Sequence, residues 1–165
     1  MRAVPEEGRQ GPSRRVLVLN GPNLGRLGRR QPEIYGHTTH AELADQCVEW
    51  GRALGLEVEV RQTNHEGVML DWLNAAADED TPVVLNAAAW THYSFALLDA
   101  CAQLTAPLVE LHISDPKARP EEFRHHSVVT AYAVAEVVGQ GIDGYRQALE
   151  QLAGATGAQS PAQRP

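Results

Sequence analysis

Val16-Leu17-Val18-Leu19-Asn20-Gly21-Pro22-Asn23 is a short apolar run that ends at a polar turn. The run reads as a buried strand, and the Gly/Pro/Asn turn stops it. Polar residues then fall at the carboxyl end of a strand, where open α/β sheets bind ligands. The chain continues Leu24-Gly25-Arg26-Leu27-Gly28-Arg29-Arg30-Gln31-Pro32-Glu33-Ile34-Tyr35-Gly36. From Asn20 to Gly36 there are four glycines and two prolines, too many for a helix, yet Leu24 and Leu27 are too apolar for a plain linker. The stretch reads as a mobile loop that delivers arginine and a phenol to a site.

Outward from this segment, strand-like and helix-like stretches alternate. Arg15 to Asn20 is the first strand. Thr39 to Leu54 is a helix, with Thr39 and Glu42 as a capping box, Leu43, Cys47, Trp50 and Leu54 on one face, and Gly55 as the stop. Glu57 to Gln62 alternates as a second strand, and Gly67 to Ala77 is a second helix. Pro82-Val83-Val84-Leu85-Asn86 is continuous and apolar, as parallel strands tend to be. Ser94 caps a helix to Leu104, Pro107 to Ile113 is a fourth strand, and Tyr132 to Leu152 reads as a final helical stretch broken near Gly139, Gly141 and Gly144. Four strands each followed by a helix imply an α/β fold, with a parallel sheet covered on both faces. The expected organisation is a tail over residues 1–14, one domain over 15–153 and a tail over 154–165. Both tails are rich in Pro, Gly, Gln and Ser and read as disordered.

The 165 residues fit one domain, 43% of them hydrophobic and 21% charged. A formal charge of −7 argues against sequence-independent nucleic-acid binding, which needs a basic surface. Met1 to Arg15 has no apolar stretch of the signal-peptide kind, and no run approaches the roughly 20 residues that span a bilayer. The two cysteines, Cys47 and Cys101, fall in helix-like apolar stretches and read as buried thiols of a cytoplasmic protein.

Every strand ends in chemically capable residues. The first ends at Asn20 and Asn23, the second in Gln62-Thr63-Asn64-His65-Glu66-Gly67, and the third in Asn86, followed by Trp90-Thr91-His92-Tyr93-Ser94. The fourth ends in His112-Ile113-Ser114-Asp115, followed by Arg119, Arg124, His125 and His126. One such residue is usually a cap or a turn; four strand ends on one rim imply a small-molecule site. A metal site is disfavoured, because His125 and His126 are adjacent and His65-Glu66 is an isolated pair. Ser94 and Ser114 lack a nucleophile-elbow sequence. General acid–base chemistry needs only a positioned base and a positioned acid, and Tyr35 and His112 are available for it, with Arg30 five residues from Tyr35. An FMN cradle is a third option, which Pro22 weakens by removing a backbone N–H from the loop.

From residue 15 to 152 the chain resembles type II 3-dehydroquinate dehydratase. The resemblance rests on Leu19-Asn20-Gly21-Pro22-Asn23-Leu24, Leu27-Gly28-Arg29-Arg30, Pro32-Glu33-Ile34-Tyr35-Gly36, Gln62-Thr63-Asn64-His65-Glu66-Gly67, Asn86, Thr91-His92 with Ser94, Asp99-Ala100, Glu110-Leu111-His112-Ile113-Ser114 and Phe123-Arg124-His125-His126-Ser127. It implies a flavodoxin-like three-layer sandwich with a central parallel sheet. It implies dehydration of 3-dehydroquinate to 3-dehydroshikimate, in the shikimate pathway or in quinate breakdown, with no cofactor and no metal. The implied roles are residue-specific. Tyr35 takes the C2 proton, Arg30 holds the tyrosinate, Asn23 stabilises the enolate, and His112 protonates the departing C1 hydroxyl with Glu110 and Asn86 behind it. Ile113 and Ser114 bind the carboxylate, and His92 and Arg124 the ring hydroxyls. Asp99 reaches in from a neighbouring subunit of a dodecamer built from trimers.

Several positions depart from the family pattern. Ala88 stands where a glycine is usual, Leu98 where an arginine is usual, and Asp115-Pro116-Lys117 puts a negative charge near the expected carboxylate pocket. Arg119 to Phe123 contains one extra residue, and Ala135-Glu136 replaces a small apolar pair. A glycine at 88 with positive φ would make Ala88 a strained substitute. These departures keep two alternatives open: a specialised relative acting on an amino-modified dehydroquinate, and a non-catalytic oligomeric ligand-binding relative.

Overall fold

The computed structural model describes residues 14–155. Apart from Arg14, Gly154 and Ala155, the two tails expected from the sequence lie outside the described residues. Five strands form one sheet: β1 (Arg14–Asn20), β2 (Leu56–Gln62), β3 (Val83–Asn86), β4 (Leu108–His112) and β5 (Ala135–Val138). Their order is β2-β1-β3-β4-β5 and every neighbouring pair is parallel, the flavodoxin-like order with its switch point between β1 and β3. The helices are the single turn α1 (Pro32–Tyr35), then α2 (His40–Ala53), α3 (Glu66–Asp78), α4 (Phe95–Ala102) and α5 (Asp143–Gly154).

Strand alternation builds a core on each face. Val16, Val18, Val84, Val109 and Leu111 meet Leu43 and Cys47 of α2 and Tyr145, Leu149 and Leu152 of α5. Leu17, Leu19, Val83, Leu85 and Leu108 meet Met69 and Leu73 of α3 and Leu97 and Cys101 of α4. Side chains that alternate between faces and find apolar partners on both explain the continuous apolar strands.

Local signals hold at the helix starts. Thr39 accepts from the Glu42 amide at 3.2 Å while the Glu42 carboxylate accepts from the Thr39 amide at 2.8 Å, which closes the capping box. Ser94 accepts from the Leu97 amide at 3.0 Å. One expectation is corrected. The stretch from Tyr132 to Leu152 is not one broken helix, because Tyr132 ends a 3₁₀ turn, Ala135–Val138 pairs with Val109–His112 as β5, and only Asp143 onward is α-helical. Pairing with an existing parallel edge supplies ladder hydrogen bonds that a four-residue helix with glycines behind it could not match.

The register aligns the rim. Asn20 lies opposite Gln62 on one side and Asn86 on the other. The Gly21 amide donates to the Asn86 carbonyl at 2.8 Å, and a Cβ at Gly21 would come within 2.7 Å of the Ala87 carbonyl oxygen. Glycine at 21 is what lets the two strand-end turns touch.

Candidate active site

At the carboxyl ends of β1, β3 and β4 lies a cavity of about 170 Å³. It is smaller than the roughly 300–1,000 Å³ of drug-sized ligand sites and suits a small single-ring molecule. Its walls include Asn23, Arg30, Tyr35, Asn86, His92, His112, Ile113, Ser114, Arg119 and Arg124. Nine of the eleven residues expected from the sequence therefore line one cavity. Of the other two, Glu110 lies directly behind His112, and Asp99 is exposed on α4 and not part of the wall.

The loop from Leu24 to Gly36 is ordered around two buried anchors. Leu24 and Leu27 insert into the α2/α5 core, Leu24–Arg26 forms a 3₁₀ turn, and α1 carries Tyr35 half-buried at the cavity wall. Arg26 and Arg29 are exposed. The Arg30 guanidinium carbon lies 5.7 Å from the centre of the Tyr35 ring. The Tyr35 hydroxyl oxygen accepts instead from Arg119 Nη2 at 2.7 Å. Arg119 also stands over the ring, 5.9 Å from its centre. The cation at the phenol oxygen is thus Arg119. The sequence offered no local signal for this contact, since the partners are 84 residues apart, whereas Arg30 is near in sequence.

In the same cavity His112 is backed by a carboxylate. His112 Nε2 sits 2.8 Å from Glu110 Oε1, which leaves Nδ1 as the other ring nitrogen. Glu110 is 1% exposed. Its Oε1 accepts from Thr91 at 2.9 Å and Ser127 at 2.5 Å, and its Oε2 accepts from Thr130 at 2.6 Å. Burial pushes the Glu110 carboxyl up, but bonds from His112, Ser127 and Thr130 outweigh it and hold the group down at about 2. A carboxylate that is ionised at neutral pH and grips one imidazole nitrogen fixes the ring's tautomer and orientation. The hydroxyls of Thr91, Ser127 and Thr130 are site residues to which the sequence reading gave no role.

His92 Nδ1 faces the His126 carbonyl at 2.7 Å and therefore carries its proton there. Burial lowers the His92 pKa, and charge on His112 and Arg124 adds to the effect against the His126 bond. Arg124 Nε stands 3.2 Å from Glu121 Oε2, with its guanidinium over the Phe123 ring at 4.9 Å. Asn23 has a left-handed φ of 68°, and its amide donates to Asn64 Oδ1 at 2.9 Å. Ala88 has a φ of 50°, the positive value that a glycine would take without strain. Asp115 accepts from the Lys117 amide at 2.9 Å as a cap and belongs, with Glu136, to a neighbouring cleft rather than to this cavity. Among the described residues no three His, Cys, Asp or Glu side chains gather closely enough to hold a metal ion.

A flavodoxin-like sheet whose strand ends bring a guanidinium-bonded phenol and a carboxylate-backed imidazole to one cavity defines an enzyme-like site suited to acid–base chemistry on a small molecule. A family model described as class II dehydroquinase matches residues 14–153. The chain is 63% identical over 139 residues to the 3-dehydroquinate dehydratase of Salinispora tropica, covering 84% of this chain and 96% of that one. Over the same length it is 55% identical to the 3-dehydroquinate dehydratase of Mycolicibacterium paratuberculosis, again 84% and 96% of the two chains. The crystal structure of type II dehydroquinase from Propionibacterium acnes superposes with a TM-score of 0.84 at 58% identity, covering 86% of this chain and 97% of that one. The chain belongs to the type II dehydroquinase family.

Proposed function

We infer that this cavity dehydrates 3-dehydroquinate to 3-dehydroshikimate, which makes the protein a carbon–oxygen lyase. The observation that carries the reading is that one cavity holds both the Tyr35 phenol, bonded by Arg119, and the His112 imidazole, backed by Glu110. A phenolate at Tyr35 takes the proton from C2, and the electrons move onto the ketone oxygen as an enolate. The Arg119 guanidinium stands at the phenol oxygen, so a fixed positive charge lies where the base works. Asn23 supplies the donor for the enolate, where charge develops. The enolate then expels the C1 hydroxyl, which leaves as water with a proton from His112, and C1=C2 forms in conjugation with the ketone. Glu110 balances the positive charge of the proton-donating imidazole. Ile113 and Ser114 at the end of β4 hold the carboxylate, and His92, Asn86 and Arg124 hold the ring oxygens. Arg30, on the loop, closes the tyrosine side and excludes water.

The test is the absorbance of the conjugated enone on adding 3-dehydroquinate. The expected result is turnover that Tyr35→Phe abolishes while carboxylate-ligand binding survives. No enone from folded protein at high concentration would overturn the reading. Because Asp115 caps its own turn and does not line the cavity, its carboxylate is not placed to recognise an amino-modified substrate there.

We also propose a dodecamer built from trimers, in which Asp99 of the partner subunit reaches this cavity. The reading is supported by the exposure of Asp99 on α4, near Phe95, which is 74% exposed. A sedimentation measurement tests it. A cytoplasmic site of action fits Cys47 and Cys101, both unpaired, with burial pushing each thiol up to about 12.

A further inference from the structure

We propose that Tyr145, a residue of α5 that does not line the cavity, is a positioning residue for the dehydration, fixing the amide of Asn86 so that it presents an N–H to the substrate. The inference rests on the dehydratase reading above and adds a residue that acts through another.

Asn86 lines the cavity and is 3% exposed, so the direction of its amide decides whether the substrate meets a donor or an acceptor. That direction is set from the backbone. The Ala88 amide, which can only donate, gives its proton to Asn86 Oδ1 at 3.2 Å. Asn86 Nδ2 is thereby turned to the Tyr145 hydroxyl and donates to it at 3.0 Å. The hydroxyl, having accepted from Asn86, sends its one proton to Asn20 Oδ1 at 2.7 Å. Asn20 Nδ2 then faces His40 Nε2 at 3.1 Å, where the ring nitrogen must accept. Burial lowers the His40 pKa, which keeps that nitrogen able to accept.

Four bonds therefore run in one direction from Ala88 to His40, and none can be reversed while the Ala88 amide stays in place. Tyr145 is 0% exposed and sits among Leu43, Cys47 and Leu149, where an unsatisfied polar group would be costly. The relay uses one hydrogen of Asn86 Nδ2. The other is the one donor that Asn86 has left to offer, and it suits a substrate oxygen. The same relay grips the turn at Ala88, which leads to Ala89 and His92 in the cavity wall.

Tyr145→Phe removes the hydroxyl and keeps the ring. In the wild-type background kcat/KM for 3-dehydroquinate should fall about tenfold. In an Asn86→Ala background the same change should cost less than about twofold, because the group through which Tyr145 acts is gone. Asn20→Ala is the second variant, should the phenylalanine protein fail to fold. It leaves Asn86 and the ring in place, removes the acceptor of the tyrosine proton, and should show the same dependence on Asn86. Equal losses in both backgrounds, or no loss in the wild-type background, overturn the proposal. Wild-type protein that does not turn over 3-dehydroquinate at all defeats the dehydratase reading instead.

Discussion

Arg119 donates to the Tyr35 hydroxyl at 2.7 Å, while Arg30 stands 5.7 Å from the centre of the same ring. Two guanidinium groups thus address one phenol in different ways. The first acts at the atom where phenolate charge concentrates, and the second acts on the ring from the loop that covers the cavity. Arginine suits both places because it stays charged when the phenol loses its proton.

Replacing Arg119 with leucine removes the cation from the phenol oxygen. A charge-assisted hydrogen bond contributes roughly 1.5–3 kcal/mol, so kcat should fall by about 10- to 100-fold. Lysine at 119 should recover part of the loss, since it restores charge without the planar fork. Steady-state enone absorbance measures both. A leucine variant within threefold of wild-type kcat would show that the contact is idle.

Glu110 carries a pH dependence whose sign follows from its depressed carboxyl. The folded value is about 2 against an ordinary 4.5. The ionised form is therefore favoured by folding, and its contribution is complete above 4.5 and lost as pH falls towards 2. A depression of this size corresponds to about 3 kcal/mol. Thermal melts should show Tm falling between pH 5 and pH 2.5. Glu110→Gln should lower Tm at neutral pH, flatten that slope, and cut kcat by at least tenfold through His112. A glutamine variant with an unchanged slope would assign the acid sensitivity elsewhere.

The sequence made most of this legible where the signals were local. The capping box at Thr39, the Ser94 cap and the continuous apolar strands each state their structure within a few residues. The rim of polar strand ends was legible because a parallel sheet sends every carboxyl end to one side. What the sequence hid depends on contacts between distant segments. Ala135–Val138 carries Glu136 and runs into glycines, and it becomes a strand only because β4 offers it an edge. Arg119 meets Tyr35 only after β4 and its following turn are folded beside the loop. Tyr145 looks like one more core aromatic of an amphipathic helix, and its hydroxyl gains meaning only when Asn20 and Asn86 arrive opposite it.

Gly21 gives a prediction about how closely the two site-bearing turns must meet. Its missing Cβ would lie 2.7 Å from the Ala87 carbonyl oxygen and 2.9 Å from the carbonyl carbon, and these are backbone atoms that cannot rotate away. Gly21→Ala should push the turn after β1 from the turn after β3, destabilising the fold by about 1–3 kcal/mol. Activity should fall further than stability explains, because Asn23 and Asn86 sit on the two sides of the contact. Denaturant melts and kcat/KM on the same preparation separate the two effects. Wild-type stability in the alanine variant would show that the turns have slack.

Ala88 gives the opposite case, a side chain where the backbone favours none. At a φ of 50° its Cβ crowds the following carbonyl oxygen, a conformation that costs a non-glycine residue about 1–2 kcal/mol. The turn persists because Asn86 Oδ1 accepts from the Ala88 amide and the Asn86 carbonyl accepts from Gly21. Ala88→Gly removes the crowding but gives the unfolded chain more freedom, worth roughly 0.5–1 kcal/mol in the other direction. The half-buried methyl subtracts little. The net expectation is a gain of about 0.5–1 kcal/mol, or a Tm raised by a few degrees, with kcat/KM for 3-dehydroquinate undiminished. A lowered Tm would mean that the alanine methyl contributes more packing than the turn costs in strain.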